Sequence, residues 1–193
     1  MRPPSPVLVA MAGLPGAGKS SLARAIGHET AAVVLAVDAI EAAMWRAGLG
    51  GADQRLPTGL AAYAVAQTLA AELLAAGHSV VADAVNAVEP ARAGWNQVAT
   101  EHGVPIRWLE VTCSNPVVHR ERLAARGTRY QGFTEPTWQQ VETRRIEPWS
   151  HERLVLDSMR PLEELLETAM TYVSAGRTGR RPAGWAIRTT RGE

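Results

Sequence analysis

Lysine is almost absent from this chain. Its 193 residues hold 20 Lys and Arg together, 19 of them arginine, so Lys19 stands alone. The bias toward Arg and Ala matches coding in a GC-rich genome, and Lys19 is then a position where that drift did not act. Cysteine is as scarce. With Cys113 alone, the chain can form no internal disulfide and no cysteine-built zinc site, which agrees with a reducing cytosol. The formal net charge is only +1 at pH 7, so no overall field steers the protein toward nucleic acid or a membrane surface. Long apolar runs are missing too. None approaches the ~20 residues that cross a bilayer, and the early run "VLVAMAG" is too short for a secretory leader. The expectation is a soluble, cytoplasmic protein that does not meet a membrane.

What is present is an alternation. Short apolar runs, "VLVAMAG", "AAVVLAVD", "HSVVAD", "VPIRWLEVTC" and "RLVLDS", are separated by longer stretches with three- and four-residue apolar spacing. Strands alternating with helices predict an α/β fold: a five-stranded parallel sheet with helices on both faces. Asn115 and Pro116 mark one helix start, and Gly77 and Gly103 mark two helix ends. A further helix is expected from Glu135 to Ile146. The single domain is expected to span residues 1–175, with a lid at about 126–147. The Gly- and Arg-rich segment 176–193 reads as a basic tail, either disordered or an arm for an acidic ligand.

The one lysine sits in "GLPGAGKSS", Gly13 to Ser21, which follows the first strand and opens the first helix. The spacing matches G-x-x-x-x-G-K-S/T. Gly13, Gly16 and Gly18 permit backbone conformations that a Cβ would obstruct, so amides can close around phosphate oxygens. The helix that follows turns its positive end to the same anion. Lys19 adds a compact ammonium where an arginine fork would not reach. The whole stretch, Gly13, Leu14, Pro15, Gly16, Ala17, Gly18, Lys19, Ser20 and Ser21, is therefore assigned to ATP binding in a P-loop NTPase fold, with Ser20 as a Mg²⁺ ligand. The bare alternative is a glycine turn that merely joins strand to helix.

Aspartate is rare as well: Asp38, Asp53, Asp83 and Asp157 are all there are. Three of them end predicted strands, the edge where open parallel sheets bind ligands. Asp83 either holds the magnesium through its water shell or caps the next loop. Asp38 either takes the proton of an attacking hydroxyl or caps the helix "AIEAAM", and the two roles can coexist. Glu41, one turn on, and Trp45 are candidates to contact the acceptor. Asp157 reads as structural. In "HRERLAARGTRYQG", Arg126 and Arg129 are the candidates to neutralise charge on a transferring phosphoryl group, and Arg122, one turn before Arg126, is assigned to the nucleotide. A solvated helix face is the plainer alternative for all three. Most of the six tryptophans are expected in packing. The five histidines have no metal-ligand spacing and receive no role.

Taken together, "GLPGAGKSSLARAI", "VDAIEAAM", "VVADAV" and "RERLAARGTRYQG" resemble the small P-loop kinases that include chloramphenicol phosphotransferase and the kinase domain of polynucleotide kinase. The resemblance covers roughly residues 7–175. It implies that the loop strand neighbours the strand ending at Asp83, that Asp38 is the acceptor base, and that Arg126 and Arg129 are lid residues. In chloramphenicol phosphotransferase paired acidic residues follow the third strand, whereas here Ala84 follows Asp83. The activity so implied is an ATP- and Mg²⁺-dependent transfer to a hydroxyl of a small molecule: an antibiotic, nucleoside or sugar-like acceptor. Two other readings stand beside it: a kinase of nucleic-acid ends, and a nucleotide-binding regulatory protein without transfer chemistry. Oligomeric state is not legible.

Overall fold

The computed structural model describes residues 5–51 and 57–178. The remaining N-terminal residues, the 52–56 connection with Asp53, and the tail from 179 onward with Trp185 lie outside the described residues. Five strands, β1 (Leu8–Ala12), β2 (Val33–Ala36), β3 (Val80–Asp83), β4 (Ile106–Thr112) and β5 (Leu154–Asp157), form one sheet in the order β2-β3-β1-β4-β5. Every pairing is parallel, with Leu8 opposite both Val80 and Ile106. The expected fold is therefore the observed one, and β1 does neighbour the strand ending at Asp83. The chain lays β2 and β3 to one side of β1 and β4 and β5 to the other. The resulting crevice opens at the C-terminal end of β1, where the glycine loop begins.

The central strands are apolar on both faces because both faces are covered. Leu8, Ala10 and Ala12 point into one core, beneath α2 (Val37–Arg46), α3 (Thr58–Ala75) and α4 (Glu89–Glu101). Val7, Val9 and Met11 point into the other, beneath α1 (Lys19–Thr30) and α7 (Leu162–Thr178). This is the two-residue period of a strand, read on a sheet with helices above and below. By length and mean hydropathy, 18 residues at 1.2, α3 could pass for a membrane span. Its alanines Ala62, Ala66 and Ala70 and its Leu74 are buried in the first core, and small side chains at that spacing let α2 approach closely.

Three boundaries differ from the sequence expectation. The second strand stops at Ala36, and Val37 and Asp38 already belong to α2. Asp38 thus lies in the first turn of that helix, where a carboxylate meets the positive end of the macrodipole. The helix expected from Glu135 to Ile146 is the shorter α6 (Trp138–Glu142). Thr137 starts it through a capping box with Gln140. Beyond it the chain is pulled straight by bonds to other elements: Glu147 N donates to Ala87 O (2.8 Å), and Arg92 donates to Pro148 O (2.9 Å). Arg92 is fully buried, and its guanidinium also lies 4.5 Å from the centre of the Trp149 ring. Finally, α7 runs to Thr178, three residues into the segment assigned to the tail. The remaining helix, α5 (Pro116–Ala125), begins as expected: Asn115 Oδ1 accepts from the amides of Val117 and Val118, and Pro116 is its first residue.

Candidate functional site

The glycine loop leaves β1 with Gly13, Gly16 and Gly18 all at positive φ, 128°, 83° and 100°. Gly13 is also held by space, since a Cβ there would sit 2.1 Å from Val111 O on β4. The first turn of α1 is finished by no side-chain cap and contains no acidic residue. Its leading amides and its positive end are thus not matched by a protein carboxylate, which is the state an anion site requires. Lys19 is 7% exposed, and its Nζ donates to Leu14 O across the loop at 2.9 Å. Burial pushes the ammonium below its ordinary 10.5, while Asp83 and Asp38 pull it back up.

Asp83 ends β3 with only 6% exposure and faces the same cavity as Ser20. Arg129 donates to Ser20 Oγ at 2.7 Å. Arg126, which caps the C-terminus of α5, lies between two carboxylates, 3.3 Å from Asp38 Oδ2 and 3.4 Å from Glu135 Oε2. Arg122, one turn earlier, donates to Ser158 Oγ (2.8 Å) and Ser158 O (3.1 Å) just past β5. The structure therefore brings Lys19, Ser20, Asp38, Asp83, Arg122, Arg126 and Arg129 to one cavity of about 1010 Å³ above the loop. Asp157 faces elsewhere: the Ser114 side chain first, then the amides of Met159 and Ser114, and Arg122 hold its carboxyl below the usual range.

A second cavity, about 460 Å³, opens on the far side of Asp38 and Arg126. Glu41 and Trp45 line it from α2. Both are fixed by Thr58 at the start of α3, whose hydroxyl accepts from Trp45 Nε1 (2.9 Å) and donates to Glu41 Oε1 (2.8 Å). Phe133 closes it from the other side, its ring 4.9 Å from that of Trp45. Leu14, Pro15, Ala17 and Ser21 complete the loop without facing this second cavity, apart from Pro15.

Sequence reasoning passed over Thr58, Glu135, Phe133, Asn86 and His119. Asn86 is fully buried at φ 49°: its Nδ2 donates to Met11 O (2.7 Å), its Oδ1 accepts from Trp95 Nε1 (3.1 Å), and its amide donates to Tyr63 Oη (3.0 Å). Burial pushes the Tyr63 phenol up to about 12, so it stays protonated. His119 lies against the loop with Nε2 2.8 Å from Pro15 O. No spacing marks these residues. The available signal was position: His119 precedes Arg122 and Arg126 by one and two turns on the same helix.

The family model described as the AAA domain matches residues 8–148 of the chain. No curated protein matches it. Among solved structures, it is similar to a protein of Chloroflexus aurantiacus j-10-fl, with TM-score 0.73 and 19% identity over 87% of this chain and 98% of that one. It is also similar to the Mycobacterium tuberculosis APS kinase CysC in complex with AMPPNP and APS, at TM-score 0.68 and 20% identity over 89% and 99% of the two chains. A gluconokinase from Sinorhizobium meliloti 1021 follows, at TM-score 0.60 and 20% identity over 93% and 97%. At such identities the likeness speaks to the fold. The chain belongs to the AAA domain family and carries the fold of the small P-loop kinases.

Proposed function

We propose that the protein transfers the γ-phosphate of ATP to a hydroxyl of a small molecule, with Asp38 as general base. The observation that carries this reading is the position of Asp38, which lines both the cavity over the glycine loop and the smaller one beside Trp45 and Glu41. A base must touch the acceptor on one side and face the phosphoryl group on the other. The loop amides, Lys19 and Arg122 would hold the nucleotide, which supplies the phosphoryl group. Among the described residues no cluster of three carboxylate, His or Cys ligands exists. Ser20 with Asp83 suits a Mg²⁺ ion that keeps most of its waters, and such an ion would offset phosphate charge.

A hydroxyl seated beside Asp38 gives its proton to the carboxylate as its oxygen bonds to phosphorus and the bond to the departing diphosphate breaks. Arg126 and Arg129, turned from Asp38 and Ser20 to the phosphoryl oxygens, stabilise the charge that develops there. Trp45 and Glu41 take the acceptor, in a cavity sized for an antibiotic, nucleoside or sugar. The test follows ATP consumption across a panel of such hydroxylated acceptors. Asp38→Asn should lower turnover by about 10²–10⁴-fold while leaving nucleotide affinity in place. Undiminished turnover in that variant would remove Asp38 from the role.

A further inference from the structure

His119 is a buried group that the proposed chemistry leaves without a task. It is 6% exposed, and its Nε2 lies 2.8 Å from Pro15 O. A carbonyl only accepts, so Nε2 carries the hydrogen and donates it. Trp138 of α6 packs against the ring edge-on, at 5.3 Å and 84°. One turn further along α5, Leu123 packs beside the same stretch of loop: a Cβ on Gly16 would meet Leu123 Cβ at 3.2 Å and His119 Cδ2 at 3.2 Å.

The partner of this bond matters because of the turn it belongs to. Leu14 to Ala17 form a turn closed by Ala17 N donating to Leu14 O at 3.1 Å, with Pro15 second and Gly16 third at φ 83°. Proline second and a glycine at positive φ third is the type II arrangement. Type I and type II turns differ in which way the central peptide faces, here Pro15–Gly16, and proline tolerates either. Glycine permits either as well. The peptide is trans, so its carbonyl and its N–H point in opposite directions. With the carbonyl turned to α5, the Gly16 amide is turned to the other side, where Gly16 lines the large cavity. A flipped peptide would present a carbonyl dipole to the same place and repel an anion.

We propose that His119 is a positioning residue: its Nε2–H holds the Pro15–Gly16 peptide in the orientation that offers the Gly16 amide to phosphate, and Trp138 braces the ring from the lid side. The inference rests on the nucleotide-binding reading and adds to it a residue outside the loop that sets the loop's affinity. Because Trp138 belongs to the lid segment, the same contact gives that segment a direct hold on the cradle.

The experiment measures Mg·ADP binding to the full chain by calorimetry for the unaltered protein, His119→Phe, His119→Gln and His119→Asn. Phe keeps the ring and its packing on Trp138 but cannot donate. The Gln amide reaches the position of Nε2, while the Asn amide falls short of it. Loss of the bond leaves a buried carbonyl unsatisfied, so His119→Phe should weaken Mg·ADP by roughly tenfold, and His119→Gln should recover to within about threefold. If His119→Phe does not fold, the contrast between His119→Asn and His119→Gln reads the same bond. Failure of the unaltered protein to take up Mg·ADP sinks the nucleotide-binding reading itself. Uptake by the unaltered protein with equal affinity in His119→Phe and His119→Asn overturns the His119 inference alone. Equal weakening in all three variants also overturns it, since packing would then be the cause.

Discussion

Asn86→Ala measures how firmly the floor of the site is tied. Asn86 bridges the end of β1 to α4, through Nδ2 to Met11 O and Oδ1 from Trp95 Nε1, at 2.7 and 3.1 Å in a site without solvent. Each lost bond costs about 1 kcal/mol net, and up to ~3 kcal/mol where its partner is left buried and unmatched. Alanine also pays the steric cost of φ 49°, about 1 kcal/mol more than asparagine, which tolerates that region. The total is about 3–7 kcal/mol, a large share of the ~5–15 kcal/mol that holds a domain together. Equilibrium urea denaturation should therefore show a lower midpoint at unchanged slope. Trp95→Phe, which removes only the indole donor, should cost less, and the double variant should fall short of the sum by about 1 kcal/mol. A loss below about 1 kcal/mol in Asn86→Ala, or strict additivity with Trp95→Phe, would refute this account of the tie.

Lys19 supplies a pH dependence. Burial lowers its value below 10.5 in the free protein, and phosphate oxygens beside it favour the charged form again. On the acid side of 10.5 and above the lowered value, Mg·ADP binding should therefore take up a proton, read as calorimetric heats that vary with buffer ionisation. Over the same window the unfolded chain holds more protons than the folded one, so the stability of the free protein rises with pH; absence of proton uptake throughout the alkaline range would refute the assignment. Thr58→Val breaks the link that fixes Glu41 and Trp45. It should raise the acceptor KM by roughly fivefold, from about 1 kcal/mol of lost hydrogen bonding, with ATP KM unmoved; steady-state kinetics with any accepted hydroxyl decides it.

The phosphate loop was legible because its chemistry is local: three glycines, one lysine and one serine at fixed spacing on either side of a strand-to-helix junction. The sheet was legible for a similar reason, since strands buried on both faces appear as unbroken apolar runs such as "VLVAMA". The first turn of α2 was harder, because "AVVLAVD" carries the same β-branched character on both sides of the true boundary at Ala36. The end of α6 could not be read at all. Pro148 marks a stop only from Glu147 on; the chain leaves the helix earlier, after Glu142, and runs on to bonds with Ala87 and Arg92, more than 50 residues before it. The same holds for the second cavity. Glu41 and Trp45 share a helix and line it together, whereas Thr58, Phe133 and Glu135 join them only through the tertiary fold.

Arg126 and Arg129 meet the cavity already oriented. One is held between Asp38 and Glu135 and the other on Ser20, so the rotamer freedom of two long side chains, up to about 2 kcal/mol each, is surrendered during folding and not when a ligand arrives. Filling the pocket then turns each guanidinium from the oxygens that hold it in the free protein to those of the ligand. Affinity for a polyanion in such a site is set by the difference between the protein oxygens given up and the ligand oxygens gained, so removing Glu135, one of the two carboxylates on Arg126, shifts that balance toward the ligand.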